Sequence, residues 1–314
     1  MKHNLKITLV LISLFLITQF IGLYVVGHYL NDANPLPLGF EQPQPETASE
    51  YSSLLVSLIL SFIFAIAIFF ILTKFKIEFI LRAWFLIVTT IALSISLMSV
   101  FSLFTKYFLV VSLILSGALA LTKIYGRNFI IHNFTETLIY PGIAAVFVPI
   151  LNIYTIIALL VVISIYDMWA VWHSGVMQKM AKYQIDNLKI FAGFFVPFFS
   201  DKTRQQIKNW KKTLSKSQLN KKKVKVNVAI LGGGDVVFPI ITSGVVLKTT
   251  SIAIPFGLKN FTGGLIPSIF VIIGALLGLI YLLLFFSEPK KSYPAMPFIT
   301  VGILLGIIGS YLLF

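Results

Sequence analysis

The chain has 314 residues, of which 58% are hydrophobic and only 11% charged, with a formal net charge of +14. Ordinary soluble domains carry about 25% charged residues, so this composition points away from a soluble fold, and long apolar runs from end to end mark a polytopic helical membrane protein. There is no cysteine, which excludes disulfides, thiolate metal sites and cysteine nucleophiles.

Lys2 and Lys6 open the chain and an apolar run follows from Ile7 to Val26. The run is too long for a signal-peptide core and no small-residue cleavage site follows it, so it is expected to be a retained first span. In all, nine spans are predicted, at residues 7–30, 52–73, 79–104, 107–123, 129–150, 152–173, 226–247, 262–286 and 295–314. The third and fourth are divided only around Lys106. The fifth and sixth run together from Leu138 to Trp172 and are divided near Asn152, after Pro149. The expected fold class is therefore all-α, with a six-span part (1–173), a long loop (174–225) and a three-span part (226–314) in one structural domain.

The first half of that loop, "MQKMAKYQIDNLKIFAGFFVPFF", mixes lysine with large apolar residues, as segments lying in a membrane interface do. The second half, "DKTRQQIKNWKKTLSKSQLNKKK", is polar and basic. Beside a membrane such a run reads as attraction to anionic lipid rather than to nucleic acid. The stretch "KVKVNV" alternates with period two, which predicts a short strand before span seven.

Orientation follows from the basic residues. With nine spans, all but three of the 25 Lys and Arg residues fall on one side; Lys106, Lys248 and Lys259 fall on the other. The first loop, between spans one and two, has acids and no bases and also lies on that other side. The positive-inside rule then sets the N-terminus in the cytoplasm and the C-terminus outside the cell membrane.

Of the 11 acids, only Asp167 and Asp235 lie well inside predicted spans, with Glu136 at a border. A carboxylate inside a membrane is costly and marks a functional site by default. Counted from the span ends, the two acids lie roughly 8 and 14 Å below the cytoplasmic surface, so antiparallel neighbouring spans can bring them face to face. No Lys or Arg lies in spans five to seven at similar depth. Two bare carboxylates a few ångströms apart cannot both ionise, so they share one proton. That is the working state of an aspartic protease, in which one carboxyl takes a proton from water while the other donates to the scissile carbonyl. The plainer alternative is that each Asp is a buried polar residue bonded to Tyr, Ser or backbone. Serine and zinc mechanisms lack residues, for there is no Ser/His pair and no HExxH.

Asp235 directly follows Gly232, Gly233 and Gly234. Each glycine weakens a helix by about 1 kcal/mol relative to alanine. Cleaving a peptide bond inside a membrane requires the substrate helix to unwind and bring its backbone close to the acids, and glycine permits that approach. The "KVKVNV" strand would then pair with the extended substrate. Small-residue helix packing is the competing account of the glycines. In "SYPAMPF", Pro294 and Pro297 are expected to interrupt regular helix before the last span, or simply to punctuate its start.

Tyr166-Asp167 in span six, "GGGD" in span seven (fitting G-x-G-D) and "PAMP" before span nine together resemble presenilin and signal peptide peptidase, the GxGD intramembrane aspartyl proteases. The resemblance covers nearly the whole chain. It implies that Asp167 and Asp235 are the catalytic pair, that Tyr166 helps shape the site and that Gly232, Gly233 and Gly234 line the scissile bond. It also implies that Pro294, Ala295 and Met296, with Pro297, match the family's Pro-Ala-Leu element. Met296 stands where Leu is usual, a swap that conserves volume and apolar character. The function so implied is an endopeptidase acting within transmembrane helices of single-span substrates, without cofactor or metal. The predicted orientation is that of presenilin, and the compact chain looks like a prokaryotic homologue able to act alone, its oligomeric state left open. Two other readings stand beside it: a proton-coupled transporter or channel using the same acids, and a catalytically silent binder of membrane helices.

Overall fold

A computed structural model of the chain describes residues 5–31, 34, 36–40, 42–75, 77–126, 128–174, 190–198, 203, 205–206, 227–252, 262–286 and 293–313. In chain order these form α1 (Leu5–Tyr29), α2 (Ala48–Lys74), α3 (Glu78–Phe101), α4 (Phe108–Tyr125), α5 (Phe129–Phe147) and α6 (Ile153–Trp169). There follow a two-stranded hairpin, β1 (Gly193–Phe198) and β2 (Asn227–Gly232), and then α7 (Gly233–Ile252), α8 (Thr262–Tyr281) and α9 (Met296–Leu313). A π-helical turn extends α6 through Ala170–Ser174 and another extends α8 through Leu282–Phe286.

Each predicted span corresponds to a helix. The break expected near Asn152 has a clear local cause. Pro149 tightens the end of α5 into a 3-10 turn. The Asn152 side chain then accepts from the Thr155 amide at 2.9 Å, and the Thr155 hydroxyl accepts from the Asn152 amide at 2.8 Å. This reciprocal cap fixes the start of α6. Lys248, near the end of α7, donates to the carbonyls of Pro149 (2.7 Å) and Leu151 (3.4 Å) and to the Tyr51 hydroxyl (3.1 Å), satisfying acceptors that the break exposes.

Eight of the helices are long and apolar enough to cross a membrane; α7 is not among them. The helix of the span predicted at 226–247 starts later than expected. The residues "NVAILG" are strand, and the helix starts only at Gly233. The expected strand exists but begins at Asn227, and residues 223–226 of "KVKVNV" lie outside the described residues. Its described partner is β1 of the same chain, with Phe195 opposite Ile230 and Gly193 opposite Gly232. β1 falls in the stretch read as interfacial, most of which, like the basic second half of the loop, lies outside the described residues.

α7 is the centre of the molecule and packs against α1, α5, α6, α8 and α9. Its buried residues, Val236, Ile240, Ile241 and Val245, join a core that includes Leu11 and Phe15 of α1, Ala144 and Val148 from α5 onward, and Ile299 and Ile303 of α9. α8 and α9 approach to backbone contact. A Cβ placed on Gly274, Gly278, Gly302 or Gly306 would collide with backbone of the facing helix. This is the small-residue packing typical of membrane helices. α2, by contrast, leaves most of its apolar surface exposed, as a lipid-facing helix does.

Candidate active site

Asp167 lies near the end of α6 and is 7% exposed. Its Oδ2 accepts a hydrogen bond from the Met296 amide at 3.1 Å, and the Ala295 amide also donates to the carboxyl group. Met296 is the first residue of α9. The carboxyl therefore occupies the N-terminus of that helix, where unsatisfied amides and the helix dipole favour negative charge. Pro297 sits in the first turn of α9, where its missing N–H costs nothing. It thus admits the helix instead of interrupting it, and the interruption is confined to the segment with Pro294, which is buried. One turn further on, the hydroxyls of Ser164 and Thr300 share a buried hydrogen bond of 2.8 Å, locking α6 to α9.

Asp235 is in the first turn of α7, not deep inside a helix as the predicted span had it. Its carboxyl lies close to the Gly232 amide and within electrostatic range of Asp167, with no hydrogen bond between the two acids. Asp235 is partly exposed and Gly234 is exposed, which leaves an opening beside the acid. Two features hold this turn. Gln19 of α1 reaches across to donate to the Val236 carbonyl at 3.0 Å. Pro239 removes the amide that would close the helical bond to the Asp235 carbonyl.

The three glycines have separate reasons. A Cβ on Gly232 would lie 3.0 Å from Asp235 Oδ2, crowding the carboxyl. One on Gly233 would lie 2.8 Å from the Tyr140 hydroxyl. One on Gly234 would have room, its nearest neighbour being Phe238 at 3.8 Å. Tyr166 is 43% exposed, with its ring near Trp169 (6.3 Å), and none of its described contacts reaches either acid. The structure thus gathers Asp167, Ala295, Met296, Gly232 and Asp235 at one place, with Gly233 and Gly234 alongside, and leaves Tyr166 outside that group.

Sequence reasoning missed a second polar layer. Glu136 is not at a border: it is 1% exposed, within α5, and forms an ion pair with Lys123 of α4. His132, one turn earlier, lies 3.5 Å from the same carboxylate oxygen, and its Nε2 meets the Gly193 carbonyl of β1 at 2.8 Å. Asn133 grips β1 at both backbone groups of Phe195, accepting from its amide at 3.1 Å and donating to its carbonyl at 2.9 Å. The available signal was the spacing of His132, Glu136 and Tyr140, which puts three polar residues on one face of the helix. Among the described residues no group of three or more His, Asp or Glu side chains gathers where a metal ion could be held.

Among the described residues, Asp167 and Asp235 come within electrostatic range of one another at the starts of α9 and α7, the arrangement that an intramembrane aspartyl protease requires. The family model "Signal-peptide peptidase, presenilin aspartyl protease" matches residues 12–314, and the chain belongs to that family. Among solved structures it is similar to a presenilin family intramembrane aspartate protease in two crystal forms. In the C222 form the identity is 16% and the TM-score 0.59, with 98% of this chain and 99% of that chain covered. In the P2 form the identity is 16% and the TM-score 0.56, with 97% of each covered. No curated protein matches the chain.

Proposed function

We propose that Asp167 and Asp235 are the catalytic pair of this intramembrane aspartyl protease and that they cut peptide bonds within the membrane span of single-span proteins. The observation that carries this is the approach of the two carboxyls to within electrostatic range, one beside the α9 amides and the other beside the Gly232 amide. With one proton between them, the ionised acid takes a proton from a water that attacks the scissile carbonyl, while the protonated acid donates to the carbonyl oxygen. The resulting diol collapses as the proton passes to the leaving amine and the first state is restored. The absence of a hydrogen bond between the acids in the resting structure supports a site that substrate draws closed. The test is proteolysis by purified protein in liposomes with a single-span substrate, with products read by mass spectrometry. Cleavage within the span supports the assignment; cleavage only outside it sinks the reading.

The hairpin supports strand addition as the mode of substrate binding. Because Phe195 turns both backbone groups toward Asn133, Phe195 and Ile230 form a pair without mutual hydrogen bonds. The backbone groups of Val228, Ile230 and Gly232 therefore point away from β1. The Gly232 amide lies close to Asp235, while Val228 and Ile230, both about half exposed, form an open edge leading to the acids. An extended substrate paired there would run its backbone past Gly232 toward Asp235. Ile230→Pro removes an edge donor without touching the β1 ladder. It is expected to lower kcat/KM by at least about tenfold, with Ile230→Ala close to wild type. Equal kcat/KM for the proline variant and wild type would remove the strand from the mechanism.

The finer topology belongs to the same proposal. The Lys/Arg asymmetry supports an N-terminus in the cytoplasm, a C-terminus outside the cell membrane, and anionic lipid against the basic 174–225 segment.

A further inference from the structure

Tyr140 of α5 is 4% exposed, and its hydroxyl is buried without a hydrogen-bond partner. Buried donors are almost always satisfied, so one left open next to a reaction centre points to a partner acquired in another state of the protein. Its surroundings say which. The hydroxyl lies against the backbone of Gly233, where a Cβ would come to 2.8 Å. The ring is held edge-on by Phe194 of β1, with centroids 5.7 Å apart at 80°. Two acids lie within electrostatic range, Glu136 one turn earlier on α5 and Asp235 across the glycine turn. Glu136 is also close to the phenol and engages Lys123 and His132 through one carboxylate oxygen, and the hydroxyl makes no hydrogen bond to it. Asp235 lies close to the Gly232 amide and has capacity for further donors.

We infer that Tyr140 is a positioning residue for Asp235: its hydroxyl donates to the Asp235 carboxyl when substrate closes the two acids together. The inference rests on Asp235 being one of the catalytic pair. Glu136 is held by Lys123, and Asp235, the other acid within electrostatic range, is the acceptor assigned to the hydroxyl. The inference also accounts for glycine at the variable position of G-x-G-D in this chain. Any side chain at 233 would push on the hydroxyl that has to move.

The experiment compares Tyr140→Phe, Gly233→Ala and the double variant with wild type, as full-length protein cutting a single-span substrate, with kcat and KM measured separately. Phenylalanine keeps the ring packed on Phe194 and removes only the donor. Tyr140→Phe is expected to lower kcat about tenfold with KM within about twofold, the effect of losing one hydrogen bond to a charged group in the transition state. Gly233→Ala is expected to lower kcat as well, by displacing the hydroxyl. In the double variant the two losses are expected not to multiply, because both act through one contact. Wild-type kcat in Tyr140→Phe overturns the inference, and so do two losses that multiply fully. Should Tyr140→Phe also lower the melting midpoint, the double variant decides, since independent folding defects multiply and a shared contact does not. Failure of Asp235→Ala to stop cleavage would instead overturn the assignment on which the inference rests.

Discussion

Asp167→Asn and Asp235→Asn each cut the rate of intramembrane cleavage by at least about 10³-fold while leaving the protein folded. The size follows from the chemistry. Each acid serves in turn as proton acceptor and donor, and general acid–base catalysis by one group contributes about 10²–10⁴-fold. The pair also acts as a unit, so removing one member forfeits most of what both supply. The fold is expected to survive because an amide oxygen can still accept from Ala295, Met296 or Gly232. Activity is read by mass spectrometry of the products and folding by the melting midpoint in the same detergent. Asn variants that retain a tenth of the wild-type rate would show that the chemistry is done elsewhere.

The largest loss of stability is expected at Lys123. Its side chain is 6% exposed and that of Glu136 only 1%, so the pair is buried within the bundle. Breaking such a pair by removing one partner leaves an uncompensated charge and costs about 3–5 kcal/mol, whereas replacing both by apolar residues is often neutral. Lys123→Met is therefore expected to lower the melting midpoint by on the order of 10 °C, and Lys123→Met/Glu136→Leu to recover most of that loss. Because the pair is shielded from solvent, added salt should not mimic the single variant. Tryptophan fluorescence during heating measures all three proteins. A Lys123→Met protein that melts with wild type would mean that Glu136 finds another partner or accepts a proton without cost.

The spans were legible because an apolar run of some twenty residues has few other uses. The pair of acids was legible because nothing else in the sequence pays for carboxylates at that depth. What escaped reading was local. "NVAILG" is apolar enough to extend a span, and an apolar run does not by itself distinguish strand from helix. β1 was hidden by Pro197, which argues against a strand. In the structure Pro197 shares the parity of Phe195, so its nitrogen faces away from β2 and no ladder bond is lost. What "PAMP" contributes in the structure, backbone amides beside Asp167, leaves no mark in the sequence. Glu136 was set aside because its partner, Lys123, comes from the preceding helix, and a contact between helices leaves no mark on the spacing within either one.

The pairing of β1 with β2 has a consequence for the length of the chain between them. Gly193–Phe198 and Asn227–Gly232 are joined side by side, so the segment from 199 to 226 leaves and re-enters the fold at one place. Its ends are already brought together by the hairpin and by the grip of His132 and Asn133 on β1. Closing a flexible loop between ends so joined costs entropy that grows only with the logarithm of its length. Doubling it would cost about 0.6 kcal/mol. The hairpin thus couples the two halves of the site, and the spacing of Asp167 and Asp235 is expected to be insensitive to the number of residues between the strands.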